Sequence, residues 1–147
     1  MIRSISWSEI YNIWTTELWP NRTSSIESNS SMLYLSGYDI SNMYEPPSFF
    51  GYFLYDKLVG VNSGHRCSDG SYRSRGLWVN QQYRNQGIGT KLLLVTIDQS
   101  KLEVSSFVWS FPRKTSWSTY KKAGFRLTSD WQPSETSEAN AFCRKDL

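Results

Sequence analysis

Apolar and polar residues alternate with two different periods along the first part of the chain. A strand is predicted over 2–6, where apolar and polar positions alternate, and a helix over 7–19, where apolar residues recur at helical spacing. Pro20 ends this helix, because proline cannot continue it. The polar, serine-rich stretch 21–31 predicts a weakly structured loop, and the pattern over 34–44 fits a helix and a strand equally.

The middle of the chain has the pattern of an antiparallel meander. Strands are predicted over 49–55, 58–66 and 72–80. A tight turn at Asp56-Lys57 joins the first two strands, and a turn at Asp69-Gly70 joins the second and third.

Helices and strands alternate in the second half of the chain. The predicted order is a polar loop over 81–86, helix 87–99, strand 104–111, helix 115–122, strand 125–129, polar loop 130–138 and strand 139–144. Thr115 is positioned to cap the second of these helices, and Gly124 stands where a left-handed residue is expected to end it. Together with the meander, this order predicts a mixed α/β (α+β) domain.

Composition and charge fit one globular domain with an anionic ligand. The chain has 147 residues, of which 39% are hydrophobic, and its formal net charge is +3 at pH 7. Nucleic-acid binding is an alternative for a basic, aromatic-rich chain, but basic residues form only short clusters at 73/75, 113/114 and 121/122. We therefore expect no nucleic-acid partner.

Cysteine content and the lack of long apolar runs favour a cytoplasmic protein. Cys67 and Cys143 are too few for a disulfide framework. The first residues lack an apolar run of signal-peptide length, and no stretch is long and apolar enough to span a membrane. We expect reduced thiols, a cytoplasmic location and no membrane partner.

Residues 77–90 (LWVNQQYRNQGIGT) combine a strand end, a polar turn and a helix that opens on Gly87 and Gly89. Glycine lets the backbone approach a ligand closely, and free N–H groups at a helix start attract an anion. Arg84 adds a cation beside the turn. The segment therefore predicts a cradle for phosphate or pyrophosphate, with glycines that serve only packing as the alternative. Spacing excludes a dinucleotide fingerprint, because Leu92 stands where its third glycine is required.

Two motifs in this half of the chain resemble those of the GNAT superfamily of N-acetyltransferases. Arg84, Gly87 and Gly89 fit Arg/Gln-x-x-Gly-x-Gly/Ala, which is the acetyl-CoA signature of that family. Residues 120–125 (YKKAGF) resemble its Tyr-x-Lys-x-Gly-Phe motif. The resemblance covers 49–128 well, whereas the first 48 residues match only in pattern.

The resemblance implies one GNAT-like domain over 1–147, with a mixed, mostly antiparallel central sheet of about six to seven strands flanked by helices. Within it, 1–48 would shape the acceptor pocket and 72–128 would form the acetyl-CoA-binding core. The implied activity is N-acetylation of a primary amine of a small molecule or peptide by direct attack on the thioester. Acetyl-CoA is then a co-substrate and no metal is expected; a homodimer is compatible with the family.

The same resemblance assigns roles to residues. The coenzyme would be held by Leu77, Trp78, Val79, Arg84, Asn85, Gln86, Gly87, Ile88, Gly89 and Thr90. The backbone N–H of Val79 would stabilise the developing oxyanion, and Tyr120 would protonate the leaving thiolate. A phenol has a pKa of about 10 against about 8.5 for a thiol, so Tyr120 would protonate the thiolate or hydrogen-bond to it, with packing beside Phe125 as the alternative.

The general base is the role that the sequence leaves open. Many relatives carry a glutamate near the end of the third meander strand, where this chain has Arg73-Ser74-Arg75-Gly76 and no carboxylate. His65, Glu45 and Asp69 are candidate bases, each with an ordinary structural role as the alternative, and a water relay is another. Cys67 is a candidate acyl-carrying nucleophile without a visible activating partner. The missing carboxylate also supports a non-catalytic acyl-CoA-binding or sensor domain of the same fold.

Other departures and candidates concern the acceptor side. Arg113 stands near the position of an asparagine that contacts the pantetheine in relatives. Arg73 and Arg75 lie two apart on a strand, so both face either solvent or the cleft. If they face the cleft, they favour an acceptor that carries a carboxylate or phosphate. Trp109 and Trp117 either shape the acceptor pocket or pack in the core.

Overall fold

The computed structural model describes residues 1–134 and 138–147 and centres on one seven-stranded sheet. The strands are β1 (Ile2–Ser4), β2 (Ser48–Leu54), β3 (Lys57–Arg66), β4 (Tyr72–Val79), β5 (Phe107–Ser110), β6 (Arg126–Leu127) and β7 (Cys143–Asp146). They lie in the order β1-β2-β3-β4-β5-β7-β6, and every neighbouring pair is antiparallel except the parallel pair β4 and β5. The predicted mixed, mostly antiparallel sheet is confirmed.

The described residues form three α-helices beside the sheet: α1 (Trp7–Ile13), α2 (Ile88–Leu102) and α3 (Trp117–Lys122). Short 3₁₀ turns occupy Ile40–Tyr44, Gln81–Tyr83 and Lys114–Ser116, so the segment left ambiguous over 34–44 is partly a 3₁₀ turn. No helix within the described ranges is long and apolar enough to cross a membrane.

The predicted helix over 7–19 changes its winding partway. It is α-helical to Ile13 and continues as a π-helical turn over Trp14–Leu18. In that wider turn the N–H of Trp19 donates to the carbonyl of Trp14 at 2.8 Å. Residues five apart are thereby brought together, and the two indole rings lie 5.2 Å apart.

The two faces of the sheet carry different layers. On one face, α2 packs through Leu93 and Ile97, and α3 packs through Tyr120, in a cluster that includes Tyr72 of β4. On the other face, α1 packs through Ile10 and Trp14 against Val61 and Trp78, in a second apolar cluster. The core of the chain is therefore divided by the sheet into two halves.

A β-bulge at Gly76 interrupts strand β4. The register between β3 and β4 shifts from Ser63↔Arg75 to Val61↔Trp78, so two residues of β4 face one of β3. One extra residue reverses the alternation of side chains, and Arg75 and Trp78 consequently lie on the same face as α1. Gly76 has φ +77°, and a Cβ there would lie 2.4 Å from the Trp14 indole, whose Nε1–H donates to the Gly76 carbonyl at 2.9 Å.

Several predicted boundaries are wrong for local reasons. β5 begins at Phe107 rather than at 104, because Val104 has φ +58° and Ser105 donates to the Ser100 carbonyl to close the end of α2. The last strand begins at Cys143 rather than at 139, because Asn140 forms isolated bridges to other segments. Residues 135–137 of the loop predicted over 130–138 lie outside the described residues.

The helix predicted over 115–122 begins differently from the prediction and ends as predicted. Ser116, not Thr115, precedes the first residue of α3, and no side chain caps it there among the described residues. The Thr115 hydroxyl and N–H instead both donate to Glu138 Oε1 at 2.7 Å. Gly124 follows α3 with φ +98°, as the sequence predicts.

Replacing Gly76 by alanine tests the bulge. The added methyl meets the Trp14 ring and the residue must keep a left-handed φ, so we expect the free energy of unfolding to fall by about 2–5 kcal/mol. Gly70→Ala is the matched control, since Gly70 has φ +84° with nothing within 4 Å of the added Cβ. Gly70→Ala should lower the free energy of unfolding by only about 1–2 kcal/mol. Equal losses in urea titrations of the two variants would contradict the proposed contact.

Candidate functional site

A groove opens where β4 and β5 diverge. The two strands pair only at Tyr72↔Val108 and Arg73↔Trp109, and beyond this point the same edge of β4 has no strand partner among the described residues. The groove has a volume of about 390 Å³, within the range of small-molecule clefts. Its walls are the end of β4, the turn before α2, one side of α3 and the segment after β5.

The backbone of Val79 is directed into this groove. Asn80 donates its N–H to the Val59 carbonyl at 2.8 Å, and successive residues of a strand turn their polar backbone groups to opposite edges. Val79 therefore directs its N–H and C=O away from β3, toward the open side of β4. Its carbonyl accepts the Nε–H of Arg84 at 3.0 Å, which leaves the N–H for another acceptor.

The start of α2 forms one end of the groove. Gly87 is its N-terminal flanking residue, and no side chain in the described part of the chain caps the helix there. The first N–H groups of α2 thus have no intrahelical partner, and their partial positive charge favours an anion. Asn85 and Gly87 adopt left-handed conformations, with φ +63° and +80°, which shape the turn that leads into the helix.

The two glycines of the predicted cradle have different environments. A Cβ on Gly87 would meet no atom within 4 Å, so this position borders open space in the groove. A Cβ on Gly89 would lie 2.9 Å from Thr119 Cγ2, because α2 and α3 pack closely at this point. The packing alternative therefore applies to Gly89, and a substitution there disturbs the fold as well as the groove.

Tyr120 lines the groove from α3 and is 3% exposed. Its ring packs edge-on against Phe125, with centroids 5.5 Å apart. Burial raises the pKa of Tyr120 well above its ordinary value, and the nearby Ser110 hydroxyl opposes that shift only in part. The phenol is therefore protonated across the physiological range.

A second cavity of about 380 Å³ adjoins the groove on the α1 side of the sheet. The 22–32 loop, Tyr38 and Met43 contribute most of its walls. Both cavities are lined by Trp19, Arg73, Arg75, Phe111 and Asn140. Arg73 and Arg75 thus face the cleft and not solvent, with 9% and 5% of their surface exposed.

His65 lines neither cavity. It is fully buried, its Nε2 accepts the N–H of Ser30 at 3.3 Å, and its Nδ1 lies 3.1 Å from the Arg66 carbonyl. These contacts require a neutral ring with the proton on Nδ1. Burial, above all, lowers the pKa of His65 to about 3, so the role of a general base at neutral pH is excluded.

The other candidate nucleophile and bases are also engaged elsewhere. Asp69 accepts the N–H of Ser71 at 2.9 Å within a turn, and Glu45 lines neither cavity. Burial raises the pKa of the Cys67 thiol, so it is not a thiolate nucleophile. Within the described ranges, no group of three His, Cys, Asp or Glu side chains is placed to hold a metal ion.

The aromatic candidates serve packing. Trp109 is fully buried beneath Arg73 and joins a cluster with Cys67 and Phe142, and Trp117 packs against the α2–α3 core. Neither lines a cavity. Arg113 does line the groove, where its Nη2 donates to the Leu18 carbonyl at 2.9 Å.

Several cavity residues have no sequence signal that predicts them, among them Trp19, Glu27, Ser30 and Asn140. Glu27 and Ser30 belong to the stretch 21–31, where polar composition predicts only a loop, and Trp19 is the last residue of the predicted helix 7–19. Asn140 reaches the site because its bridges to Arg113 and Gln132 fold the C-terminal segment back, and its Nδ2 donates to the Phe111 carbonyl at 3.0 Å.

Several solved acetyltransferase structures share this fold. An IAA acetyltransferase from Bacillus cereus superposes with a TM-score of 0.71 at 16% identity, covering 100% of this chain and 99% of that one. A Bacillus subtilis acetyltransferase in complex with CoA gives 0.68 at 14% identity, covering 99% and 97%. The ribosomal-protein-S18-alanine N-acetyltransferase from Escherichia coli gives 0.67 at 15% identity, covering 100% and 93%.

The two comparisons of the sequence itself gave different results. A search of curated proteins found no match. The model of the acetyltransferase (GNAT) family, in contrast, matches residues 6–125. Because that match spans most of the chain and the observed sheet agrees with the fold of the acetyltransferase structures, the chain belongs to the GNAT acetyltransferase family.

Proposed function

We propose that this chain transfers an acetyl group from acetyl-CoA to a primary amine. The observation that carries the proposal is the groove itself, which has the uncapped start of α2 at one end and is also lined by Val79, whose N–H is directed away from β3. One end suits the pyrophosphate of a coenzyme, and the other suits the oxygen of its thioester. Family membership supports the same assignment.

The residues present fit coenzyme A. The open space beside Gly87 and the free N–H groups from Gly87 to Thr90 would accept the pyrophosphate, with Arg84, Asn85 and Gln86 forming the turn beside it. The exposed edge of β4 at Leu77, Trp78 and Val79 would pair with the pantetheine arm. Lys122 also lines the groove and adds positive charge.

The chemistry expected of the chain is positioning and proton transfer. Bound acetyl-CoA supplies an acetyl group on a thioester, which amines attack directly. As the amine nitrogen bonds to the carbonyl carbon and the carbon–sulfur bond breaks, the amine gives a proton to water and coenzyme A leaves. The Val79 N–H stabilises the negative charge that develops on the oxygen, and Tyr120 donates its proton to the departing sulfur and regains one from solvent.

The deprotonation of the amine requires no protein base in this proposal. Among the described residues that line the groove there is no Asp, Glu or His, and the adjoining cavity has one carboxylate, Glu27. Glu27 is exposed, and its Oε1 accepts the Ser25 hydroxyl at 3.0 Å. The acceptor is therefore expected to enter as the neutral amine.

The same lack of a base supports a second candidate, a domain that binds acyl-CoA without turnover. The two candidates predict the same coenzyme affinity and differ only in acetyl transfer. Coenzyme A release in the presence of a panel of primary amines separates them, because the sensor alone predicts none above the hydrolysis background.

Gly87→Asn tests the cradle. Asparagine tolerates a left-handed φ, and its side chain would occupy the open space that the pyrophosphate needs. We expect acetyl-CoA affinity to fall at least about tenfold in calorimetric titrations. Gly70→Asn, at an equally left-handed turn outside the groove, should bind like the parent. Parental affinity in the Gly87 variant would disprove the cradle.

Tyr120→Phe tests the acid. The substitution keeps the ring against Phe125 and removes only the hydroxyl, so turnover should fall by about 10²–10⁴-fold with little change in coenzyme affinity. Tyr72→Phe is the control, since this buried tyrosine bonds to Glu103 and does not line the groove. An unchanged rate of acetyl transfer in the Tyr120 variant, measured in single turnovers, rules out the acid role.

The pH dependence of kcat/KM tests the absence of a protein base. Below the pKa of the acceptor amine, kcat/KM should rise about tenfold per pH unit, because only the neutral amine reacts. The pH at which kcat/KM reaches half of its plateau should be higher for an alkyl amine of pKa about 10 than for an α-amine of pKa about 8. Glu27→Gln should leave both profiles unchanged. A midpoint near pH 6–7 shared by both amines would instead reveal a base on the protein.

A further inference from the structure

Arg73 and Arg75 are two buried cations at the junction of the groove and the adjoining cavity. Each guanidinium offers five N–H donors, and few of these have protein partners. Arg73 Nη1 donates to the Ser30 hydroxyl, and Arg75 Nη1 donates to the Glu27 carbonyl at 2.7 Å. The Nε of Arg73 is buried without a hydrogen-bond partner.

Neither arginine forms a salt bridge with a carboxylate of the described residues, although the charge of Glu27 in the same cavity partly offsets that of Arg75. The ion pairs within the described ranges are Arg126–Asp146 and Arg144–Asp146, both on the far side of β5 from this junction. Burial, together with the charge of the neighbouring arginine, lowers the pKa of Arg75 to about 9. Both side chains remain cationic at neutral pH, and a buried cation without a counter-ion destabilises the free protein.

Aromatic rings hold the two guanidinium groups in place. The guanidinium of Arg75 lies 4.9 Å from the Trp14 ring and 5.4 Å from the Trp19 ring, and that of Arg73 lies 4.9 Å from Trp109. Rings stacked on a guanidinium cover its faces and leave its edges, which carry the N–H donors, free to bind a ligand in the plane. The arrangement therefore presents fixed, in-plane donors to the cavity.

The other walls of the cavity favour an apolar group beside an anion bound to the arginines. Trp19, Met32, Met43 and Phe111 provide apolar and adaptable surface around the arginines. Arg75 and Val79 both line the groove, so a group bound to Arg75 borders the cavity that contains the proposed site of acetyl transfer. A volume of about 380 Å³ fits a small molecule and not a protein surface.

We propose that the acceptor is an α-amino acid with an apolar side chain, whose carboxylate binds between Arg73 and Arg75. The inference rests on the proposed function, since it names the acceptor of that reaction. The carboxylate supplies the missing counter-charge, the apolar side chain packs against the Trp19 side of the cavity, and the α-amine is held toward Val79. A peptide amine terminus lacks the carboxylate at this position and fits the site less well.

The first experiment compares three amines that share a benzyl group: phenylalanine, phenylalanine amide and phenethylamine. With saturating acetyl-CoA, kcat/KM per neutral amine should be about 10–100-fold higher for phenylalanine than for the other two. Phenylalanine amide represents a peptide terminus, so equal rates for it and phenylalanine would overturn the inference. A preference for phenethylamine would do the same, while leaving the proposed acetyl transfer intact.

The second experiment measures binding without turnover. N-acetylphenylalanine and its amide are titrated into the complex with coenzyme A, for the parent, Arg75→Gln and Arg75→Lys. Arg75→Gln should remove the preference for the carboxylate, and Arg75→Lys should restore it in part, because lysine keeps the charge and loses the planar donors. Arg126→Gln, which removes an exposed arginine outside both cavities, should bind like the parent.

The two experiments separate the inference from the proposed function. Carboxylate binding that depends on Arg75, with no acetylation of any amine, would support the anion site and overturn the transferase. Acetylation with no discrimination between N-acetylphenylalanine and its amide in the parent would overturn the anion site alone. This comparison uses the parent protein, so it holds even if an Arg75 variant fails to fold.

Discussion

The contact between the Trp14 indole and Gly76 sets the geometry on which the site depends. Only a residue without a Cβ fits beneath the ring, and only the resulting bulge turns Arg75 and Trp78 to the same face of the sheet. The Nε1–H of Trp14 also satisfies the Gly76 carbonyl, which the bulge removes from the ladder. One side chain thereby joins the N-terminal helix to the strand that borders both cavities, at the point where that strand leaves its parallel neighbour.

The buried polar side chains on the two faces of β4 differ in how many protein partners they have. Ser74 faces α2, where its hydroxyl accepts a hydrogen bond from Asn62 Nδ2 at 2.9 Å in a network that includes Thr96. Arg73 and Arg75 face the N-terminal segment with few protein partners. On the α2 side the amide N–H groups of Asn62 are thus satisfied by the Ser74 and Thr96 hydroxyls, whereas on the opposite side Arg73 Nε has no partner among the described residues. Such asymmetry is expected of a strand that supports the fold on one face and contacts a ligand on the other.

Sequence reasoning succeeded where local chemistry decides and failed where distant segments meet. The meander, the start of α2 and the left-handed Gly124 follow from alternation, glycine placement and helix ends. The winding change at Trp14 depends on a strand some sixty residues away, and the position of Asn140 depends on bridges to Arg113 and Gln132. The orientation of Arg73 and Arg75 stayed open for the same reason. The alternation of side chains along a strand puts both arginines on one face of the sheet, but it does not show which segment of the chain packs on that face. The roles of Val79, Tyr120 and the glycine turn remain proposals.

The hydrogen bond from Arg84 to the Val79 carbonyl has a consequence for how a long, flexible coenzyme is aligned. It ties the turn that would meet the pyrophosphate to the peptide unit beside the reacting carbonyl. If acetyl-CoA binds as proposed, energy gained at the pyrophosphate would help to align the thioester through this side chain. A thioester shortened to its pantetheine half would lose more than affinity, since it would leave the strand edge without the order that the distant phosphates impose.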